Sequence, residues 1–184
     1  SEGKKYSWSK APRYDGLPAE TGPLAERLIA GDPLYTDLIS RRGNNLVTRQ
    51  LARLTRPSIT IPAMETWLAE ISEHSGSPCY TPVDASQLEG EGAGLIQAAR
   101  GALGHWVRIE NGRISHYQII TPTAWNGSPR DCEGRRGPWE EALVGTPVKD
   151  PDNPVEVGHV VRSFDPCLVC TVHRVGRSGA VFQL

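Results

Sequence analysis

The sequence predicts an α+β fold that is mainly helical. Three observations carry this: proline-punctuated amphipathic segments fill residues 1–75, alternating strands flank Asn111-Gly112, and a short helical pattern leads into a cysteine turn near the carboxyl end. With 184 residues, 38% of them hydrophobic and 22% charged, the chain has the composition of a folded domain with one buried core. No repeat, low-complexity run or composition break divides it, so residues 1–184 are expected to form a single domain.

The helical part follows from its start signals. A proline in the first turn loses nothing, because that amide has no intrahelical partner. Pro23 opens a segment carrying Leu24, Leu28 and Ile29, and Asp32-Pro33 opens a second in which Leu34 and Leu38 share a face before Arg41, Arg42 and Gly43 close it. Leu46 to Leu54 continues the helical pattern and Pro57 breaks it. Met64, Trp67, Leu68 and Ile71 then form a further apolar stripe ending near Gly76. These stripes read as core.

Residues 75–94 are rich in Ser, Pro and Gly and read as a surface connection. His105–Glu110 and Arg113–Ile120 flank Asn111-Gly112, a dipeptide suited to the two positive φ angles of a type I′ turn, so a β-hairpin is expected. Two-residue closure would set Ile109 opposite Ile114 and Trp106 opposite Tyr117. Residues 122–131 are turn-rich and read as a functional loop, followed by a short helix over Trp139–Leu143. Asn153, Pro154 and Glu156 read as N-cap, first-turn proline and capping-box acid. Val155–Ser163 is therefore expected to be helical, with Val157, Val160 and Val161 inward.

Twenty basic and twenty-one acidic residues leave a formal charge of -1, which gives no electrostatic argument for nucleic acid or an anionic membrane. No apolar run reaches the roughly 20 residues that span a bilayer, and the start Ser-Glu-Gly-Lys-Lys-Tyr-Ser does not read as a signal peptide. Membrane attachment would have to come through a partner, and the compartment stays open.

The chemistry lies in Asp165-Pro-Cys-Leu-Val-Cys-Thr-Val-His173. A Cys-x-x-Cys spacing lets both sulfurs face one soft or borderline metal. Taken alone, Cys167 and Cys170 fit half of a zinc knuckle, a dithiol redox pair or half of a larger metal site. Zinc wants four ligands; His173 supplies a third, and neither Cys79 nor Cys132 has a ligand partner at short spacing. A redox pair belongs at the start of a helix after a strand, whereas this one follows a helix. His74, His105, His116 and His159 read as polar positions rather than ligands, Cys79 and Cys132 as free thiols, and Arg13 and Trp125 as loop organisers.

Three separated segments add to the cysteine turn. Lys5-Tyr-Ser-Trp8 runs into Ala11-Pro-Arg-Tyr14; then come Arg100-Gly-Ala-Leu-Gly-His-Trp106, Pro122-Thr-Ala-Trp-Asn-Gly-Ser-Pro-Arg-Asp131 and the nonapeptide itself. In this order, over nearly the whole chain, they resemble the carboxy-terminal portion of a nickel-iron hydrogenase large subunit.

The resemblance implies a nickel held by four thiolates, two of them bridging to an iron that carries carbon monoxide and cyanide. It makes Cys167 the terminal nickel ligand and proton acceptor, and Cys170 the bridging sulfur. Arg100 would overhang the site as base or electrostatic support, Asp165 would pair with it, and Thr123 would donate to a cyanide. His173 and the Ile119 carbonyl would hold Mg2+ or a similar divalent ion. The family's other pair lies in an Arg-x-Cys-Gly-x-Cys motif that does not occur in these 184 residues, so the chain is expected to be half of a site for reversible heterolytic H2 cleavage and inactive alone.

Residues 95–173 would form that active-site half, and 174–184 an extension removed at His173 by a maturation endopeptidase. Further implied partners are an iron-sulfur small subunit, the remaining amino-terminal portion of the large subunit and nickel-insertion factors. Localisation would then follow the small subunit. Two departures stand out: Ala99 where relatives have proline before the arginine, and Arg174 after the cleavage point. A non-catalytic interaction fragment and a zinc module built on the cysteine turn are the alternative readings.

Overall fold

The computed structural model describes residues 6, 7 and 9–167, and 173–175 and 181–183 as backbone strands. Helix α1 (Pro23–Ile29) starts on its proline, and α2 (Pro33–Arg42) is capped by Asp32, whose Oδ1 accepts from Leu34 N at 3.0 Å. Gly43, at φ 71°, ends α2. Helix α3 (Leu46–Thr55) begins with a capping box absent from the sequence reading: Asn45 Oδ1 accepts from Val47 N and Thr48 N, and Asn45 N donates back to Thr48 Oγ1.

The core forms where these helices cross. Leu24, Tyr35 and Ala52 are buried together, with Leu38 and Ile39 packed against them. On α2 it is Tyr35 that turns fully inward, while Leu34 is exposed. Tyr35 Oη reaches Thr55 Oγ1 at 2.5 Å, and Arg27 lies over the Tyr35 ring at 5.7 Å.

Helix α4 (Pro57–Glu73) follows at once, since Arg56 is both the last helical turn of α3 and the cap of α4, and Pro57 starts the new helix as well as ending the old one. None of its residues is buried, so Met64, Trp67, Leu68 and Ile71, expected in the core, lie on the surface. Periodicity specifies that a helix has an apolar face but not which chain covers it. Residues 57–99 also contain six carboxylates and no Lys or Arg.

A three-stranded antiparallel sheet follows: β1 (Gly90–Ala98), β2 (Gly101–Glu110) and β3 (Arg113–Ile120), in that order. The connection expected over 75–94 therefore ends early. Glycine-rich β1 has weak intrinsic strand preference, yet pairing with β2 from Gly90↔Ile109 to Ala98↔Gly101 satisfies the backbone groups that face β2. The hairpin turn is as expected, with Asn111 at φ 52° and Gly112 at φ 69°. Gly112 is also pressed against a 3₁₀ turn over Ala85–Gln87; a Cβ there would sit 2.7 Å from Ala85 O.

Ile109 does pair with Ile114. An irregularity at Arg108/Ile109 then shifts the register, so Trp106 faces Gln118 and Val107 faces Tyr117, correcting the expected Trp106–Tyr117 pair. Tyr117 meets His105 instead, through its hydroxyl and at 5.7 Å between rings.

Helices α5 (Pro122–Asn126), α6 (Pro138–Leu143) and α7 (Val155–Ser163) complete the helical set. Pro154, not Asn153, occupies the cap of α7 and no side chain caps it; Asn153 N is used in a turn to Asp150 O at 3.1 Å. Val161 is buried, whereas Val157 and Val160 are half-buried. Phe164, just past α7, is buried with Arg49 over its ring at 4.0 Å and Trp139 edge-on at 6.5 Å. At the carboxyl end β4 (His173–Val175) pairs antiparallel with β5 (Val181–Gln183). No described helix is long and apolar enough to cross a membrane.

Candidate metal centre

The site starts at a backbone junction. Asn126, fully buried at the end of α5, accepts from Thr21 N and donates to Thr21 O, both at 2.9 Å. Thr21 Oγ1 in turn accepts from Ala102 N at 2.6 Å. Gly101 lies so close that a Cβ would fall 2.5 Å from Thr21 Oγ1 and 2.7 Å from Gly22 N, and its φ of 133° suits glycine alone. This locks the start of β2, and Arg100 is the residue immediately before it. Gly101 and Asn126 lie inside motifs quoted from the sequence, but their part in this junction was not read there, and Thr21 carried no signal.

Arg100 and Ala99 form the turn between β1 and β2. From there Arg100 Nε lies 3.5 Å from Asp165 Oδ2. Asp165 N donates to Arg162 O at 2.9 Å as α7 ends, and the residue adopts φ 53°, a left-handed value that costs about 1–3 kcal/mol for a non-glycine and needs support from its surroundings. Two residues on, Cys167 N donates to Thr123 Oγ1 at 3.2 Å. The structure thus brings together Arg100, Thr123, Asp165 and Cys167.

A second guanidinium, not expected from the sequence, joins them. Arg53 on α3 donates through Nη2 to Ser163 O at 3.1 Å, and its Nη1 lies 3.9 Å from Asp165 Oδ2. Burial holds the Arg53 pKa below its ordinary value; Arg100 and Arg56 push the same way and Asp165 opposes them. Two guanidiniums around one carboxylate leave a net positive charge at the turn that leads into Cys167.

The fit to a soft bimetallic group can be tested on these residues. Among the described residues Arg100 Nε is buried with an ionic contact and no hydrogen bond, so a donor remains for a small anionic ligand. Thr123 Oγ1 accepts from Cys167, which leaves its hydroxyl hydrogen to donate elsewhere. Cys170 and the His173 side chain lie outside the described residues. Among those described, no three His, Cys, Asp or Glu gather as a metal cluster, and the exposed Cys79 and Cys132 do not join Cys167 in one.

The Ile119 carbonyl accepts from Lys10 Nζ at 2.8 Å and from Gln118 Nε2 at 2.9 Å. A divalent ion on that oxygen requires the Lys10 ammonium to withdraw. Arg13 organises a loop, as expected: Nη2 donates to Pro129 O at 2.8 Å, Nη1 to Ser128 Oγ at 3.3 Å, and Nε lies 3.5 Å from Asp131. Partial burial opposes the charge on Asp131, but hydrogen bonds from Arg135 and Glu133 N hold its carboxyl at about 2.

Comparison with known proteins meets this geometry from the other side. The model of the nickel-dependent hydrogenase family matches residues 1–173. An uptake hydrogenase large subunit of Rhodobacter capsulatus is 36% identical over 97% of this chain, and the periplasmic [NiFeSe] hydrogenase large subunit of Desulfomicrobium baculatum is 38% identical over 91%. Among solved structures, the D. baculatum [NiFeSe] hydrogenase superposes with a TM-score of 0.79 at 38% identity, covering 92% of this chain and 37% of that one. The reduced Ni-Fe-Se hydrogenase of D. vulgaris Hildenborough gives 0.73 at 38% identity over 90% and 37%. The chain spans about a third of the length of the large subunits it matches. The motifs that converge at Cys167 and the family match over nearly every residue agree, and the chain belongs to the nickel-dependent hydrogenase family.

Proposed function

We propose that the chain supplies half of the nickel-iron site of a hydrogenase, with Cys167 and Cys170 as two of the four thiolates. The observation that carries this is the Cys167 N to Thr123 Oγ1 bond beside the Arg100–Asp165 pair, which gathers three distant motifs in one place. When bound, the bimetallic group, with carbon monoxide and cyanide on its iron, supplies the Lewis acidity that splits H2 heterolytically and reversibly.

The residues of this chain have distinct tasks there. Cys167, as a thiolate, accepts the proton. Arg100 would offer its guanidinium donors to small anionic ligands on the iron. Asp165 orients Arg100, and Thr123 would have its hydroxyl hydrogen free to donate to a cyanide on the group. His173 and Ile119 O would hold a hard divalent ion such as Mg2+ once Lys10 turns away.

These residues hold one Cys-x-x-Cys pair, so the 184-residue chain assayed alone is expected to be inactive. Activity requires a polypeptide carrying the second pair and an iron-sulfur small subunit. Nickel-insertion factors and a maturation endopeptidase acting after His173 belong to the same reading, which the end of the family match at residue 173 supports.

The test is metal analysis and infrared spectroscopy of the complex co-purified with this chain. Stoichiometric nickel and iron with carbon monoxide and cyanide bands is the expected result. Zinc alone points to a zinc knuckle, and no metal to an interaction fragment. Cys167→Ser should abolish nickel binding, while Arg100→Lys should keep the metals and slow turnover. An Arg100→Lys complex lacking nickel would overturn that division of roles.

A further inference from the structure

Arg53 and Arg56 stand three residues apart at the end of α3, so their side chains leave the helix on one side. Each grips a different arm of the site. Arg53 donates to Ser163 O at 3.1 Å and lies 3.9 Å from Asp165 Oδ2, holding the turn through which α7 delivers Cys167. Arg56 donates through Nη1 to Ala98 O at 3.1 Å and to Ala99 O at 3.0 Å, the two carbonyls just before Arg100. Its Nη2 lies 3.2 Å from Glu26 Oε2, which fixes the guanidinium from behind. Both side chains are three-quarters buried, so these contacts are shielded from competing water.

The backbone they hold needs holding. Asp165 sits at a left-handed φ that its surroundings must enforce. Ala99 occupies the second position of the Ala98–Gly101 turn, where proline would restrict the chain by itself. With alanine there, the two Arg56 hydrogen bonds restrain the carbonyls leading into Arg100, beside the Ala98–Gly101 strand pairing.

We propose that Arg53 and Arg56 are positioning residues, a paired clamp on one helix end that sets the Arg100 guanidinium against Asp165 and the Cys167 turn. The proposal rests on the reading of Cys167 and Arg100 as parts of the nickel-iron site. It makes α3 the common reference for two segments that are otherwise joined through the Arg100–Asp165 pair.

The experiment compares Arg53→Met, Arg56→Met and the double variant Ala99→Pro/Arg56→Met, using hydrogen exchange on the full chain and infrared spectra, metal content and kinetics on the assembled complex. Arg56→Met should speed amide exchange selectively at residues 100–102, and Arg53→Met selectively at Asp165 and Cys167. Nickel and iron content should stay at the unsubstituted level, the cyanide bands should shift, and kcat should fall about 10- to 100-fold with KM little changed, the usual scale for losing a residue that supports a ligand. Ala99→Pro should restore exchange protection, band position and kcat to Arg56→Met.

Unchanged exchange at both segments, unchanged bands, or a loss that follows global melting and is not rescued by proline would overturn the clamp. Absence of nickel from the unsubstituted complex would overturn the nickel-iron reading instead, and the exchange arm would still decide whether the two arginines clamp these segments.

Discussion

Helices α3 and α4 are consecutive, meet at Arg56 and both carry an apolar stripe, yet α3 buries Thr48, Arg49 and Ala52 while α4 buries nothing. The difference lies in polar anchors. Arg49 makes a two-pronged pair with Glu20, at 2.8 and 2.9 Å, and stacks on Phe164; Arg53 and Arg56 then reach α7 and the β1–β2 turn. Helix α4 has no basic side chain and meets little of the chain beyond α3. Apolar periodicity therefore marks both helices, and the guanidiniums decide which one is docked within these residues.

The largest effect that sharpens this contrast is expected at Phe164. Its ring is buried beneath Arg49, and Phe164→Ala should cost about 3–5 kcal/mol in denaturant unfolding. Trp67→Ala on α4, where the ring is 54% exposed, should cost less than about 1 kcal/mol in the isolated chain. Equal losses at the two positions would break the comparison.

Glycines give the next test. Gly101→Ala must place a Cβ against Thr21 and Gly22 at a positive φ, for a loss of about 3 kcal/mol, whereas Gly94→Ala in β1 meets nothing within 4 Å and should stay within about 0.5 kcal/mol. Thermal unfolding distinguishes them. Asn126→Ala should fall between, at about 1–3 kcal/mol, because it strands the Thr21 N–H and C=O in a buried place.

The smallest effect is one of pH. The folded Asp131 carboxyl sits at about 2, below the ordinary carboxylate value of about 3.9, so its contribution is present above pH 4 and lost as pH falls through 2. Amide protection across residues 129–136 should weaken over that window and Asp131→Asn should flatten the change; protection that holds down to pH 2 in the unsubstituted chain would count against it.

What could be read from the sequence was local or motif-borne. Asn111-Gly112 announces its turn because both positive φ angles are needed within two residues, and Pro23, Asp32 and Pro33 mark helix starts through the first-turn amides. Arg100, Thr123, Asp165 and Cys167 were legible by resemblance, and the structure gathers them. Strand β1 was not, because Gly90, Gly92 and Gly94 read as loop and only β2 makes them a strand. The shifted register past Arg108 depends on an irregularity with no composition signal. Thr21, Asn126, Arg53 and Arg56 act through backbone atoms tens of residues away, and a carbonyl partner leaves no trace in side-chain pattern.

The charge pattern of residues 57–99 has a consequence for encounter. That segment carries six negative charges, and the remaining residues a net five positive, so a chain that is almost neutral overall is unevenly charged along its length. The three carboxylates of α4, Glu65, Glu70 and Glu73, draw that side of the chain toward positive potential before any contact forms. Added salt shortens that reach to about 10 Å at 0.1 M, so association through this side should slow as ionic strength rises, although the formal charge of -1 alone would forecast almost no dependence.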